Sequence, residues 1–293
     1  MSSFFKKCVV ILLTITVACI LLIYKYFYVD RNPITVVDIN SENIYVHFID
    51  VGEGDCSLIQ TNSGNLLIDA GTFESEKDII DYMDALSITE FEYAIFTHPH
   101  GDHIGSAATL IEKYDFENVI ITEAVHTTYS YESLISTLEK ENCNIILAEV
   151  GEVFKIGDVT VELLAPDDYY DKEDLNNMSI VSKVTYRDVS FMFAGDAEEE
   201  SEDAMLYYGY DLDADILKVA HHGSSTSSSE RFIKATSPAV AIISAGKDND
   251  YGHPHYEVVR RLEDINADIY VTYDVGNIIV STDGSAFDII TEK

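Results

Sequence analysis

Three histidines and one aspartate lie within residues 98–103, where the sequence reads His-Pro-His-Gly-Asp-His. The neutral nitrogens of His98, His100 and His103 and the anionic oxygen of Asp102 are ligands that a borderline-soft cation such as Zn²⁺ accepts. A short apolar run precedes them and a helical pattern follows, so they fall in a loop at the end of a strand. A helix cannot aim all four side chains at one point, whereas such a loop can. The pattern therefore predicts a metal site.

The spacing His-x-His-x-Asp-His is similar to the signature of the metallo-β-lactamase fold. Three further segments resemble motifs of that family and come in the family's order. Each is an apolar run that leads to a polar residue: residues 66–71 contain Asp69, residues 191–196 end in Asp196, and residues 217–224 contain His221. The resemblance implies an α/β fold of the four-layer αββα type, in which two sheets pack together and helices cover their outer faces.

A finer resemblance is to the extracellular hydrolase domain of the competence protein ComEC and its stand-alone relatives, over residues 44–290. Residues 50–55 read Asp-Val-Gly-Glu-Gly-Asp, which resembles the opening DVGQGD motif of that group with Glu53 in place of Gln. The later motifs of the group resemble residues 176–179, 195–198, 221–224 and 251–255. The resemblance concerns the hydrolase domain and implies no DNA transport.

The resemblance implies two divalent metal ions, Zn²⁺ or Mn²⁺, and suggests a ligand set. The first ion takes His98 and His100, the second takes Asp102, His103 and His221, and Asp196 bridges both. Asp69 would orient ligand histidines through hydrogen bonds.

One departure concerns the first metal site. Many relatives supply a third histidine to the first ion, upstream of the bridging aspartate. This chain has Asn176 and Asn177 in that zone, as the ComEC group does. Because an amide oxygen is a weaker ligand, the first site is expected to be loose, water-rich or suited to Mn²⁺.

The remaining candidates lie beside these motifs. Asp102, His222 and His253 are predicted to be catalytic, although His222 could instead be structural. His253 and His255 lie in a Gly/Pro loop, where either could donate a hydrogen bond to a developing oxyanion or a phosphate oxygen. Support of the ligands or contact with substrate is predicted for Asp55, Asn177 and Ser224, and plain turn chemistry would equally explain Asp55 and Ser224.

A two-metal centre supplies a hydroxide nucleophile and a charge clamp for in-line attack on a phosphodiester. The sequence therefore predicts a phosphodiesterase, either a ComEC-like nuclease or a cell-envelope phosphoesterase. A lactonase or β-lactamase remains an alternative, because the same ions could polarise a carbonyl. A third hypothesis is that the protein is a non-catalytic surface-binding module. No protein partner can be inferred.

The charge balance bears on the substrate. Lys and Arg number 18 and Asp and Glu 52, which gives a formal net charge of −34. Affinity for nucleic acid normally comes from Lys and Arg that neutralise phosphates. The composition therefore argues against tight, extended binding of DNA but not against a small phosphate ester.

The N-terminus carries an export pattern. Lys6 and Lys7 precede an apolar run over residues 8–23. With its aromatic flank the run is long enough to cross a bilayer, and the lysines would stay in the cytoplasm. We predict a signal anchor over residues 1–28, a linker over 29–42 and the hydrolase domain over 43–293. The protein would be a single-pass membrane protein with an extracellular catalytic domain, or alternatively secreted after cleavage.

Periodicity predicts the elements that position these residues. Strands and helices occur in two successive groups, which favours two packed sheets with helices outside. Single helices are predicted over residues 104–114 and 197–208, and a loop over 224–229. Whether Cys56 and Cys143 pair stays open at this point.

Overall fold

The computed structural model describes Thr16 and residues 42–141, 143–167 and 173–293. Apart from Thr16 and Glu42, the predicted anchor and linker lie outside the described residues. Within the described part of the chain, no helix is long and apolar enough to cross a membrane. Residues Asp38–Lys293 group into one compact unit, and the domain boundaries predicted above stay predictions.

The first sheet has eight strands among the described residues, which are β1 Ile44–Phe48, β2 Ser57–Thr61, β3 Gly64–Ile68, β4 Glu90–Phe96, β5 Asp115–Ile121, β6 Asn144–Leu147, β14 Ile278–Thr282 and β15 Phe287–Thr291. Their spatial order is β15-β14-β1-β2-β3-β4-β5-β6. Strands β3 to β6 run parallel to one another, so their carboxyl ends lie at one edge.

The second sheet has seven strands in the described part of the chain, which are β7 Val153–Ile156, β8 Val159–Ala165, β9 Val181–Tyr186, β10 Val189–Phe193, β11 Ile216–Lys218, β12 Val240–Ile243 and β13 Asp268–Val271. Their spatial order is β13-β12-β11-β10-β9-β8-β7. Strands β10 to β13 are parallel, which again brings several strand ends to one edge.

The described helices follow the strands. They are α1 Glu76–Ala85, α2 Gly101–Ile104, α3 Ala107–Lys113, α4 Tyr129–Glu141, α5 Glu199–Tyr208, α6 Glu230–Thr236, α7 Tyr256–Asp264 and α8 Thr272–Val275. A short 3₁₀ turn, Ala220–Gly223, follows β11. Helix α1 packs on the first sheet, where Tyr82 contacts His47 of β1. On the outer face of the second sheet, α5, α6 and α7 pack through buried residues such as Met205, Phe232 and Val258.

The main core lies between the two sheets. Strand β1 contributes Val46 and Phe48 to it, and β10 contributes Phe191 and Phe193 from the opposite sheet. Side chains alternate along a strand, so Met192, between the two phenylalanines, points to the helices instead. Each buried phenylalanine contributes about 1.5–3 kcal/mol to folding. The predicted α/β fold with two packed sheets is confirmed.

The helix predicted over residues 104–114 is interrupted. Helix α2 ends at Ile104 and α3 begins at Ala107. A Cβ added at Gly105 would lie 2.4 Å from the Phe73 nitrogen, and the Gly105 N–H donates to the Gly71 carbonyl oxygen at 2.8 Å. Close approach of the loop after β3 therefore forces a break that periodicity does not reveal.

The helix predicted from residue 197 starts later, at Glu199, because residues before it belong to the loop after β10.

Strand β7 and helix α6 were absent from the sequence prediction. Ser229 ends the serine-rich loop by capping α6, since its hydroxyl accepts a hydrogen bond from the Phe232 N–H at 3.2 Å. Within the described part of the chain, Cys56 and Cys143 are free thiols and do not pair with each other.

Candidate metal centre

The predicted ligands follow the carboxyl ends of three parallel strands. His98, His100, Asp102 and His103 follow β4, Asp196 follows β10, and His221 and His222 follow β11. Strand β4 lies in the first sheet and the other two lie in the second. Because the two sheets pack face to face, their strand ends meet, and side chains far apart in sequence form one cluster.

The first donor group consists of His98, His100 and Asp196, whose ligand atoms lie within 4.8 Å of one another. His98 Nε2 lies 2.9 Å from His100 Nδ1 and 3.7 Å from Asp196 Oδ2. Burial lowers the pKa of His98 well below its usual range, so this imidazole is neutral and can offer a lone pair.

The second donor group consists of Asp102, His103, Asp196 and His222, again with ligand atoms within 4.8 Å. His103 Nε2 lies 3.1 Å from Asp196 Oδ1 and 3.9 Å from Asp102 Oδ2. His222 Nε2 lies 3.3 Å from Asp102 Oδ2 and 3.7 Å from Asp196 Oδ1. Asp196 thus turns one oxygen to each donor group, which is the arrangement of a bridging ligand.

Buried atoms without partners show that this cluster fits divalent cations. His103 Nε2, Asp196 Oδ1 and His222 Nε2 are inaccessible to solvent and have no hydrogen-bond partner among the described residues. An unpaired buried polar atom is costly, and native proteins rarely keep one without a bound group. Three such atoms facing the same space, with nitrogen and carboxylate donors, match the ligand preference of Zn²⁺ or Mn²⁺.

The pKa values of the clustered side chains also indicate that the site favours positive charge. Burial alone would raise the pKa of Asp196, but the neighbouring His103 and His222 outweigh it and hold that pKa well below its usual value. For His222, burial works toward a lower pKa, yet Asp196 and Asp102 outweigh it and raise the pKa to about 10. Carboxylates in this site therefore retain their charge and attract a proton or a cation to the space between them.

The structure distributes His221 and His222 differently from the sequence assignment. His222, predicted to face substrate, belongs to the second donor group together with His103. His221, predicted as the last ligand of the second ion, has Nε2 3.7 Å from Asp196 Oδ2, the oxygen of the first donor group. Both residues adopt left-handed backbone angles, with φ of 49° and 53°. In this tight turn the two rings diverge, and their planes lie 74° apart.

His221 therefore lies on the side of the cluster where the third histidine of the family is missing. Its Nδ1 is 3.2 Å from Glu198 Oε1, an oriented carboxylate–histidine pair that leaves Nε2 toward Asp196. Asn177 does not replace that histidine, because its side-chain oxygen accepts hydrogen bonds from the Glu198 and Ser201 N–H groups at the start of α5. Asn176 donates to Glu198 Oε1 at 3.1 Å.

Hydrogen bonds on the far ring nitrogens orient the ligand histidines. His103 Nδ1 donates to Asp69 Oδ2 at 2.8 Å, and Thr97 donates to the same carboxylate through both its N–H and its hydroxyl. His222 Nδ1 donates to the Ser244 carbonyl oxygen at 3.0 Å. In each case a proton on Nδ1 leaves the Nε2 lone pair for a metal ion. The Asp69 carboxylate therefore lies where it can orient the His103 ring.

Asp55 lies beneath His222 and pairs with Lys218. Burial pushes the pKa of Asp55 upward, but the Lys218 ammonium outweighs it and keeps that pKa below its usual range. Asp55 was among the residues predicted from the sequence, whereas Lys218 and Glu198 were not. A lysine within the apolar segment Ile216–Ala220 was an available signal, because lysine is almost never buried unless it is paired.

A pocket of about 320 Å³ opens onto the donor atoms. Its lining residues are Glu53, His100, Gly101, Asp102, Asp196, His221, His222, Tyr251 and His253. His253 Nδ1 lies 3.0 Å from Glu53 Oε1, and its ring stacks on Tyr251 with centroids 5.4 Å apart. His253 is thus positioned to meet a substrate.

Two other predicted residues hold the loops rather than face this pocket. His255 Nδ1 accepts a hydrogen bond from the Ser225 N–H at 2.8 Å, and Nε2 lies 3.1 Å from the Tyr251 carbonyl oxygen. Ser224 is buried, with its hydroxyl 3.0 Å from that of Thr226. Turn chemistry is therefore the role that the contacts of Ser224 support.

Comparison with known proteins places this site in a family. Residues 49–247 match the family described as "Metallo-beta-lactamase superfamily". The chain is 32% identical over 236 residues to ComE operon protein 3 of Bacillus subtilis, covering 74% of this chain and 30% of that protein. It is 28% identical over 241 residues to Recombination protein 2 of Haemophilus influenzae, covering 80% and 28%. The chain spans less than a third of the length of these two relatives.

A solved structure gives the same result for the fold. The metallo-β-lactamase fold protein YhfI from Bacillus subtilis aligns with a TM-score of 0.56 at 12% identity, over 82% of this chain and all of that one. At that identity the likeness concerns the fold alone. Taken with the family match over residues 49–247, it establishes that the chain belongs to the metallo-β-lactamase superfamily.

Proposed function

We propose that this superfamily hydrolase is a phosphodiesterase that works with two divalent cations, Zn²⁺ or Mn²⁺. The observation that carries the proposal is Asp196, whose two carboxylate oxygens face two separate donor groups. The first ion would be held by His98, His100 and Asp196, with His221 beside them, and the second by Asp102, His103, Asp196 and His222. Such a pair supplies a hydroxide nucleophile and neutralises charge on the attacking and leaving oxygens.

The chain's own residues bind and orient the substrate. His253 lines the pocket and is fixed by Glu53, whose second oxygen accepts a hydrogen bond from the Gly246 N–H at 2.8 Å. The His253 ring can donate a hydrogen bond to a phosphate oxygen as negative charge develops there. Tyr251, 70% exposed at the pocket, offers a ring against which the rest of a substrate can pack.

The pocket favours a short phosphodiester over an extended polyanion. Neither lysine nor arginine is among its lining residues in the described part of the chain, and Glu53 adds a carboxylate. With a net charge of −34, the surface repels nucleic acid at long range. The relatives named above are ComE operon protein 3 and Recombination protein 2, and the second name favours the nuclease hypothesis. A cell-envelope phosphoester fits the charge better, and we propose the short diester as the class common to both.

We also propose that the enzyme acts outside the cytoplasm, held in the cell membrane by its N-terminal segment. The support is the sequence pattern of Lys6 and Lys7 before an apolar run. Detection of the catalytic domain by protease added to intact cells would test this location.

The activity is tested on the full chain with Mn²⁺ or Zn²⁺ against bis-p-nitrophenyl phosphate, single-stranded DNA and a β-lactam. We expect phosphodiester cleavage that Asp196→Ala and His100→Ala abolish. His126→Ala is the matched control, because its ring lies 6.0 Å from that of His100 but outside both donor groups. Cleavage of the β-lactam alone, or metal binding without any hydrolysis, would overturn the proposal.

A further inference from the structure

A buried ion pair joins the two sheets beneath the second donor group. Lys218 Nζ lies 2.8 Å from Asp55 Oδ2, and the two side chains are 2% and 6% exposed. Lys218 is the last residue of β11 in the second sheet, and Asp55 lies in the loop between β1 and β2 of the first. The ion pair is therefore a contact between the two halves of the fold.

Asp55 contacts two residues of the second donor group. Its other carboxylate oxygen, Oδ1, lies 3.4 Å from His222 Nδ1. Its backbone N–H donates to the Asp102 carbonyl oxygen at 3.1 Å. Asp55 thus contacts the side chain of His222, which follows a strand of the second sheet, and the backbone of Asp102, which follows a strand of the first.

The direction of Lys218 is set by the strand. Ile216, two residues earlier, lies in the core between the sheets, so Lys218 points to the same face at the strand end nearest the cluster. An ammonium group in that space has a large desolvation cost, which a single ion pair offsets only with good geometry. Lys218 Nζ also donates to the Val219 carbonyl oxygen at 3.1 Å, within the segment that leads to His222.

We propose that Lys218 and Asp55 form a positioning pair that holds His222 against Asp102 and His103, so that the second donor group keeps its geometry and binds its cation tightly. The proposal rests on the proposed function in assuming a cation at that group. It adds a role for Lys218 across the sheet interface: the lysine acts on the metal centre through Asp55 and His222 without touching the cation.

If its role were purely structural, Lys218 would only stabilise the contact between the two sheets and would not affect cation binding. A second buried, paired lysine serves as a control that distinguishes these two roles. Lys183 of β9 is also buried and has Nζ 2.8 Å from Asp211 Oδ2. It lies on the outer face of the same sheet, because its neighbour Val184 points into the inter-sheet core. Lys183→Met therefore removes a buried, paired ammonium from the same sheet without touching the contacts of His222.

The test titrates metal-free full-length chain with Co²⁺ and follows binding by visible absorption and calorimetry, with thermal unfolding of the metal-free protein in parallel. For Lys218→Met we expect the dissociation constant of one Co²⁺ to rise about 10- to 100-fold, the range found when an outer partner of a ligand histidine is removed. Lys183→Met should lower the unfolding temperature and leave both Co²⁺ affinities unchanged.

A double variant separates positioning from stability. Asp55→Asn with Lys218→Met leaves no lone buried charge, so the unfolding temperature should recover relative to Lys218→Met alone. Its Co²⁺ affinity should stay low, because the Asp55 carboxylate beside His222 Nδ1 is not restored and only the Ser244 carbonyl oxygen still holds that nitrogen. If Lys218→Met does not fold, Asp55→Asn, which keeps the shape of the side chain, carries the same comparison.

Two results would overturn the inference and are distinguishable from each other. Wild-type Co²⁺ affinities in Lys218→Met or Asp55→Asn, or affinity that recovers together with unfolding temperature in the double variant, would make the pair structural and leave the proposed function intact. A wild-type chain that binds no Co²⁺ would overturn the proposed function and this inference together.

Discussion

At the scale of single residues, the positions of His221 and His222 determine which histidine belongs to the second donor group. The structure gives His222 two near neighbours of the second donor group, Asp102 and Asp196, and a carbonyl acceptor for its Nδ1 proton. We expect His222→Ala to lose one of the two proposed metal ions, measured by plasma mass spectrometry after dialysis. His221→Ala should weaken the other ion instead. The reverse pattern would restore the original assignment of His221 to the second ion.

His253 is the pocket histidine best placed to act on substrate rather than metal. Removing one preorganised hydrogen-bond donor to a developing oxyanion typically costs about 100- to 1,000-fold in kcat. We expect His253→Ala to lower kcat for bis-p-nitrophenyl phosphate by about 100-fold, with metal content unchanged. Tyr256→Ala, an exposed change at the start of α7, is the control. A loss of metal in His253→Ala would assign this residue to the metal centre instead.

At the scale of elements, the break between α2 and α3 depends on the absence of a side chain at Gly105. An added Cβ would lie 2.4 Å from the Gly101 carbonyl oxygen and 2.5 Å from the Thr72 carbonyl carbon. We expect Gly105→Ala to destabilise the fold by about 1–3 kcal/mol, the usual cost of overpacking, measured by urea unfolding. Gly101→Ala is the control, since its nearest neighbour would be the Ser130 hydroxyl at 3.6 Å. Equal stability of the two variants would contradict this reading.

Hydrogen bonds to Glu202 of α5 hold the serine-rich loop, residues 224–229, against that helix. The buried carboxylate accepts hydrogen bonds from the Ser228 and Ser229 N–H groups, while Arg261 donates to the carbonyl oxygens of Ser227 and Ser228. Burial raises the pKa of Glu202 from 4.5 to about 7. The folded chain thus binds more protons here than the unfolded chain between these two values.

The difference in the pKa of Glu202 between the folded and unfolded chain determines whether stability rises or falls with pH. Since the folded state holds the extra proton, the contribution of Glu202 to stability falls as pH rises from 4.5 to about 7 and is constant above. Glu202→Gln cannot titrate, so its stability relative to wild type should increase over that interval. Urea unfolding midpoints of both proteins at pH 5 and pH 8 measure it. Parallel pH profiles would show that Glu202 has an ordinary pKa.

At the scale of the whole molecule, charge governs the approach of the substrate. A net charge of −34 repels a polyanion, and salt screens that repulsion beyond about 8–10 Å. We expect KM for single-stranded DNA to fall severalfold as salt rises from low to physiological concentration. KM for the small diester should change little. A KM for DNA that rises with salt would reveal a cationic binding surface, because displaced counterions weaken such binding.

The local chemistry of this protein could be predicted from its sequence. The spacing of His98, His100, Asp102 and His103 predicted a metal site because residues this close share one loop whatever surrounds them. The two successive groups of strands and helices predicted two packed sheets, because each sheet must bury one face against another layer. The distant residues Asp69 and Asp196 were found only through their family motifs.

Tertiary structure alone decided what depends on the contact between the sheets and on backbone angles. The left-handed turn at His221 and His222 brings the His222 ring into the second donor group and leaves the His221 ring beside the first, which no residue pattern specifies. The break at Gly105 comes from a loop that arrives from β3, and the pairing of Lys218 with Asp55 joins segments more than 160 residues apart. These features exist only where separate chain segments pack against one another, so their physical cause lies outside any local stretch of sequence.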